Sequence, residues 1–342
     1  MVFDTYLKQV VGGQPLTSDQ AYQAANMLLT DNISEIKAAA FLTAMRVRRE
    51  NEAELYGFVQ ALREHAVPME ADVELLDTCG TGGDGHGTFN VSTTAALVVA
   101  ACGVPVAKHG NRAVTGKVGS ADVLEYLGVR VDLTPDQSRR LLDEAGITFL
   151  FAPHYHPILK QVAGLRRGLG VATVFNFLGP LLNPFDLAYQ VMGVADPGIQ
   201  GTVATTLQRL GRKKALVLHA ENGMDEISPA GITTVYEVTP GNILINTVDP
   251  LEMHIPAHSL ASISGSDVEV NAGILLNVLD GQIGPCRDVV LLNSAAALIA
   301  GAKAHNMTEG MLLAAEAIDS GRALTVLKNM INFSRDGIDR VS

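Results

Sequence analysis

The sequence predicts an α/β protein in two parts, a small all-α domain and a large α/β domain with a mainly parallel central sheet. Three observations predict it. The first 70 residues carry helical periodicity and no strand signal. Beyond them, short apolar strands alternate with helical segments, the pattern of a parallel sheet. At 342 residues and 47% hydrophobic content, the chain is too long for one ordinary core and apolar enough for a sizeable one. The expected boundaries are a helical domain over 1–70, joined by about 155–185, and an α/β domain over 71–154 and 186–342.

In the helical part, Thr17-Ser18-Asp19-Gln20 and Asn51-Glu52-Ala53-Glu54 have capping-box spacing, a cap residue followed three later by Gln or Glu. The helices behind them are Ala21–Leu29 and Leu55–Leu62. A third, Glu35–Val47, starts after Ser34. Strands are then expected at Val73–Asp77, Val104–Ala107, Ile147–Phe151 and Ala215–His219. Helices are expected at Val91–Ala101 and Asp122–Leu127. The stretch from His154 to Pro184 returns to helix and loop, which suggests that it packs back on the N-terminal helices. Thr233–Val248 alternates around Pro240-Gly241 and reads as a hairpin. Asn271–Leu279, Asp288–Ala300 and Met311–Ser320 read as closing helices.

Composition excludes several classes of function. A net charge of −11 argues against broad nucleic-acid binding, which needs a basic face. Cys79, Cys102 and Cys286 are odd in number and lack a Cys-x-x-Cys pair, as expected in a reducing compartment without disulfides or structural zinc. The N-terminal residues carry Asp4 and no apolar core of a signal peptide. The longest apolar stretch, Ala95 to Val106, is broken by Gly103 and Pro105 and is too short to span a membrane. A cytoplasmic protein is expected.

Gly80-Thr81-Gly82-Gly83-Asp84-Gly85 follows the first strand and precedes a helix. Bare backbone N–H groups and the helix dipole make such a turn an anion site. It formally matches the dinucleotide fingerprint. However, no acid stands near position 100 to hold a ribose, and none occurs between Asp84 and Asp122. A P-loop fails too, because Thr88 rather than Lys follows Gly87. Ser92 and Thr93 serve either as helix caps or as hydroxyl ligands to phosphate or Mg²⁺. After the second strand, Lys108, His109, Arg112 and Lys117 concentrate positive charge among Gly110, Asn111, Thr115 and Gly116. Arg offers a fork to phosphate oxygens and Lys a point charge. Asp225-Glu226 follows the Asn222-Gly223 turn, and beside a phosphate site such a pair is a candidate Mg²⁺ anchor. His154-x-His156 lacks further clustered ligands for zinc, so His156 reads as a pocket or helix-start residue. Arg166 and Arg167 stand in a Gly-rich stretch, where one could reach a carboxylate.

Together these motifs, with Gly119-Ser120-Ala121-Asp122-Val123-Leu124, Phe175-Asn176-x-x-Gly179-Pro180-Leu181-x-Asn183-Pro184 and Asp225-Glu226-Ile227-Ser228, resemble the anthranilate phosphoribosyltransferase family. The resemblance covers nearly the whole chain in order. It implies a nucleoside-phosphorylase/phosphoribosyltransferase-like fold. It also implies transfer of phosphoribosyl from phosphoribosyl pyrophosphate to the amine of anthranilate, a step of tryptophan biosynthesis. Mg²⁺, a homodimer, and anthranilate synthase as a further partner are implied with it.

By position, the resemblance assigns phosphoribosyl pyrophosphate to Gly80, Gly82, Gly83, Asp84, Thr88, Asn90, Val91, Ser92, Thr93, Lys108, Gly110, Asn111, Arg112 and Ser120. It assigns anthranilate to Gly80, His109, Asn111, His156, Arg166, Gly179 and Pro180. Mg²⁺ falls to Ser92, Asp225 and Glu226, and catalysis to Lys108 and His109. The family often has Ser-Lys-Ser-Gly-Ser where this chain has Gly116-Lys117-Val118-Gly119-Ser120, so one loop hydroxyl is missing. Two rivals are a pyrimidine nucleoside phosphorylase of the same fold and a non-catalytic relative that binds nucleic acid. The Gly80–Gly85 loop favours a pyrophosphate donor over the first, and the acidic charge counts against the second.

Overall fold

Four helices open the computed structural model, which describes residues 2–31, 33–113 and 118–337: α1 (Val2–Val11), α2 (Ser18–Thr30), α3 (Glu35–Arg48) and α4 (Glu52–Glu64). Both expected capping boxes form, Thr17 with Gln20 and Asn51 with Glu54. Glu54 is wholly buried and also accepts the Leu16 N–H at 2.8 Å and the Arg48 guanidinium. This one carboxylate therefore ties the entry of α2 to the start of α4.

Seven strands follow: β1 (Leu76–Gly80), β2 (Val106–Gly110), β3 (Ile147–Phe151), β4 (Tyr189–Gly193), β5 (Lys214–Ala220), β6 (Thr233–Thr239) and β7 (Asn242–Val248). They lie in one sheet in the order β3-β2-β1-β4-β5-β6-β7. The first five run parallel, and the β6–β7 hairpin closes one edge antiparallel.

Two strands start later than the sequence predicts, and one was not expected. β2 begins at Val106 because Pro105 has no N–H for the ladder and only its carbonyl is used, by Leu76 N–H at 3.0 Å. β1 begins at Leu76 and continues through Thr78, Cys79 and Gly80, so the first glycine of the Gly-rich segment is a strand residue. β4 escapes a hydropathy reading because Gln190 is buried in it. The side chain is satisfied remotely, donating to Pro180 O at 2.6 Å and accepting from Arg212 Nε at 3.0 Å.

Alternate strand residues face different cores, as the pleat requires. Val191 joins the core shared with helices Val91–Ala101, Pro285–Ala300 and Arg322–Asn332. Met192 and Val194 join the core built by α1–α4 and helix Gln200–Arg209. Val162, Val174, Phe175, Phe177, Leu178, Leu181 and Leu182 lie in that second core as well, so this central segment packs against the N-terminal helices. Helix Val91–Ala101, α5, is apolar on nearly every side and is buried between the sheet and the helices above it.

Candidate active site at the ends of β1 and β4

Strand order turns at β1 and β4. The chain builds outward from β1 through β2 to β3, then resumes on the other side at β4. Such a switch point opens a crevice beyond the C-terminal strand ends. Gly80 and Gly193 are paired there. A Cβ on Gly80 would lie 2.2 Å from Asp225 Oδ2, and one on Gly193 would lie 1.4 Å from the Asp225 backbone oxygen. The chain at Asp225 thus lies directly across the two strand ends, and only glycine leaves room for it.

Asp225 Oδ2 accepts the Gly82 N–H at 2.7 Å, and Glu226 Oε1 accepts the Ser92 N–H at 3.0 Å in the first turn of α5. A carboxylate there is favoured by the helix dipole. Burial, then the neighbouring Asp84, pushes the Asp225 carboxyl up to about 6. Burial, then Asp225, pushes Glu226 well above the usual range. Lys108 is buried in the middle of β2, and its Nζ donates to Thr78 O at 2.6 Å with Ser92 Oγ at 3.4 Å. Three acids and one ammonium leave this corner short of positive charge. Around it, Gly82, Gly83, Gly85 and Gly87 all adopt left-handed φ values, between 63° and 82°. The loop is tethered at its far end by Phe89 N–H to Ile263 O and Gly265 N–H to Gly87 O.

On the other side of β1, Asp77 is fully buried. It accepts the His109 N–H at 3.3 Å and the Asn183 Nδ2–H at 3.0 Å, and Asn183 also donates to Ala107 O at 2.8 Å. The segment Gly179–Asn183 is thereby stapled to β1 and β2. His109 Nδ1 lies 3.1 Å from Gly179 O. A carbonyl only accepts, so Nδ1 carries the proton and the buried Nε2 keeps its lone pair, without a partner among the described residues. Burial, reinforced by His156, lowers the His109 pKa to about 3, and burial lowers His156 to about 4. Their ring centroids are 5.2 Å apart. Arg166 lies on helix Lys160–Leu169, its guanidinium 5.7 Å from the Phe175 ring centroid.

The chain matches two family models, the helical bundle domain of a glycosyl transferase family over residues 4–66 and the α/β domain over 72–324. It is 62% identical to the anthranilate phosphoribosyltransferase of Syntrophomonas wolfei, over 98% of this chain and 99% of that one. The chain belongs to the anthranilate phosphoribosyltransferase family. The fold agrees with that of the family member from Thermus thermophilus, with a TM-score of 0.91 at 39% identity over 96% and 99% of the two chains. A Saccharomyces cerevisiae family member, 28% identical over 97% of each chain with a TM-score of 0.90, was solved in complex with phosphoribosyl pyrophosphate and Mg. Another structure of it, with a TM-score of 0.86 at 28% identity over 96% and 97%, holds 4-fluoroanthranilate.

The structure brings Gly80, Gly82, Ser92, Lys108, Asp225 and Glu226 together at one crevice, and His109, His156, Gly179 and Pro180 around the stapled segment. Lys108 and His109 are buried strand residues rather than members of a solvated loop. Arg112 is exposed, and its guanidinium is engaged by Glu125 at 2.6 Å and Asp122 at 3.7 Å. Ser120 Oγ donates to Asn111 O at 3.3 Å, and a Cβ on Gly110 would meet that hydroxyl oxygen at 2.3 Å. Asn90 donates to Val118 O and accepts from Asn271. Thr93 is buried, Val91 joins the core, and Thr88 pairs with Ser264. Thr115, Gly116 and Lys117 lie outside the described residues. Asp77 and Gly193 also shape the site, although no motif in the sequence marks either. An acid inside a predicted strand was the available signal for the first. Gly193 had none, because its strand went unrecognised.

Proposed function

We propose that the chain transfers the 5-phosphoribosyl group from phosphoribosyl pyrophosphate to the amine of anthranilate, releasing pyrophosphate, as a step of tryptophan biosynthesis. The observation that carries this reading is the switch-point crevice, where an acid pair, a buried lysine and the first turn of α5 converge. The complexes of the Saccharomyces cerevisiae relative support it. The donor set of Asp225, Glu226 and the Ser92 hydroxyl is all oxygen, which suits Mg²⁺. Among the described residues no group of three or more His, Cys, Asp or Glu is placed to hold a metal alone. Phosphate and water would therefore complete the shell. When bound there, Mg²⁺ supplies positive charge to the leaving pyrophosphate.

The anomeric C–O bond breaks with its electron pair going to pyrophosphate, and the amine lone pair forms the C–N bond on the opposite face. The transition state resembles an oxocarbenium ion. The chain's own work is to hold the two reactants in line and to meet the developing charge with Lys108 and the loop N–H groups. An aryl amine is uncharged at neutral pH and needs no prior deprotonation. His109, neutral with its Nε2 lone pair free, accepts a hydrogen bond from the amine and orients it.

His109→Ala is expected to lower kcat by about tenfold or less, the share of one orienting hydrogen bond. The wild-type kcat/KM profile should show no inflection near 6.5 from this ring, because it is neutral above about 3. The same shift makes its contribution to stability complete above 6.5 and progressively lost as pH falls toward about 3. A kcat loss matching that from Lys108→Ala would overturn the orienting role.

Ile36 and Val47 lie on one side of α3, Val11 at the end of α1 lines the same surface as Val47, and all three are more than half exposed; we assign this apolar surface to a homodimer. The double variant Ile36→Glu/Val47→Glu is expected to sediment as a monomer while the wild type sediments as a dimer. We assign the enzyme to the cytoplasm, where the three free cysteines would stay reduced; among the described residues no helix is long and apolar enough to cross a membrane. The same reading extends to an association with anthranilate synthase. The deciding experiment is loss of anthranilate fluorescence on adding phosphoribosyl pyrophosphate and Mg²⁺, with each omitted in turn. Turnover of thymidine with phosphate instead would favour the phosphorylase.

A further inference from the structure

The glycine-rich loop is an unusual thing to fix in place. Four of its residues, Gly82, Gly83, Gly85 and Gly87, hold left-handed backbone, and glycine loses more conformational freedom on ordering than any other residue. Its two ends are tied by backbone hydrogen bonds, Thr81 N–H to Gly193 O at 3.0 Å and Gly265 N–H to Gly87 O at 2.8 Å. Between Gly83 and Gly87 the described ties run through two side chains. Asp84 contacts Asp225 and accepts the His86 N–H at 3.2 Å. His86 reaches across the crevice, and its Nε2 lies 2.9 Å from Asn222 O. Since the partner is a carbonyl, Nε2 is the donor.

The receiving turn is stiff. Gly223 N–H bonds Ala220 O at 2.8 Å, Met224 N–H bonds Asn222 Oδ1 at 3.3 Å, and Asn222 Nδ2 donates to Ser228 Oγ at 2.8 Å. Gly223 supplies the left-handed φ of 91° that this turn needs, directly beside the imidazole. Asp225 and Glu226 follow directly from this turn. A flexible loop on one side of the crevice is therefore braced by one imidazole against the rigid turn that presents the acid pair on the other.

We propose that His86 is a positioning residue for the pyrophosphate end of the site, its Nε2–H···O=C bond to Asn222 holding the glycine-rich loop in register with Asp225 and Glu226. The proposal rests on the function proposed above. His86 touches neither reacting atom, so its influence falls on capture of the pyrophosphate donor and not on the acceptor.

The test compares His86→Ala and His86→Gln with the wild-type enzyme. For His86→Ala the KM for phosphoribosyl pyrophosphate is expected to rise about five- to tenfold, the worth of one hydrogen bond. The KM for anthranilate, kcat and the thermal midpoint should stay near wild type. His86→Gln, which keeps an N–H donor at similar reach, should recover most of the loss. Calorimetric titration with Mg²⁺ and inorganic pyrophosphate should show the same order of affinity without any turnover. Equal donor KM and equal pyrophosphate affinity in His86→Ala and wild type would overturn the proposal. So would a loss in which both KM values, kcat and the thermal midpoint change together, or a His86→Gln variant no better than His86→Ala. A wild-type enzyme that fails to bind Mg²⁺ and pyrophosphate at all would overturn both this proposal and the function on which it rests. Failure confined to the His86 variants' predicted pattern leaves the function standing.

Discussion

Gly193→Ala is expected to cost the enzyme nearly all its activity and a large part of its stability. The added Cβ would stand 1.4 Å from the Asp225 backbone oxygen and 2.4 Å from its carbonyl carbon. Both obstacles are main chain, so no rotamer change relieves them. Either β4 or the segment carrying Asp225 and Glu226 has to move, and overpacking of this kind costs about 3 kcal/mol. In a chain of this size that lowers the thermal midpoint by about 4 °C. Because the displaced segment carries the acid pair, kcat/KM should fall by about 100-fold or more, as about 3 kcal/mol of lost transition-state stabilisation implies. Gly273→Ala is the control. It sits in helix Val268–Leu279 with nothing within 4 Å of the new Cβ, and is expected to be neutral or slightly stabilising. A Gly193→Ala enzyme with wild-type melting and turnover would show that Asp225 does not lie across the strand ends.

The double variant Asp225→Asn/Glu226→Gln, by contrast, should separate activity from stability. Both replacements keep an oxygen to accept from Gly82 and Ser92, so the local hydrogen bonds persist. Both remove a buried charge whose carboxyl the surroundings already push toward the neutral form. Neutral isosteres of poorly compensated buried charges are often harmless or stabilising, so the thermal midpoint should hold or rise. Turnover should fall by about 100- to 1,000-fold, since electrostatic clamping of a leaving phosphate is worth several kcal/mol. The Mg²⁺ concentration for half-maximal rate should also climb steeply. Unchanged metal titration curves would refute the anchoring role.

Much of this arrangement was legible in the sequence because its elements obey local rules. Capping boxes at Thr17 and Asn51 form from their own side chains, and apolar runs such as Ile147–Phe151 are strands throughout. What escaped notice is where a remote partner satisfies a buried polar group. Gln190 disguises β4 until Pro180 and Arg212 are seen beside it. Asp77 looks like the end of a strand until Asn183 and the His109 amide are found on its carboxylate. The glycines divide in the same way. The cluster from Gly80 to Gly87 announces a special loop, whereas Gly193 stands alone and gains its meaning only from Asp225, far along the chain.

Helix α5 is enclosed on nearly every side, and this bears on where binding entropy is spent. A rod wedged between a sheet and an overlying helical layer has no low-energy tilt or slide. Its leading turn, with Ser92, is consequently as stationary as the strands themselves once the polypeptide has folded. Whatever ordering accompanies ligand capture must fall on the glycine-rich stretch opposite, so heat-capacity and hydrogen-exchange changes on titration should concentrate there and leave the helix amides silent.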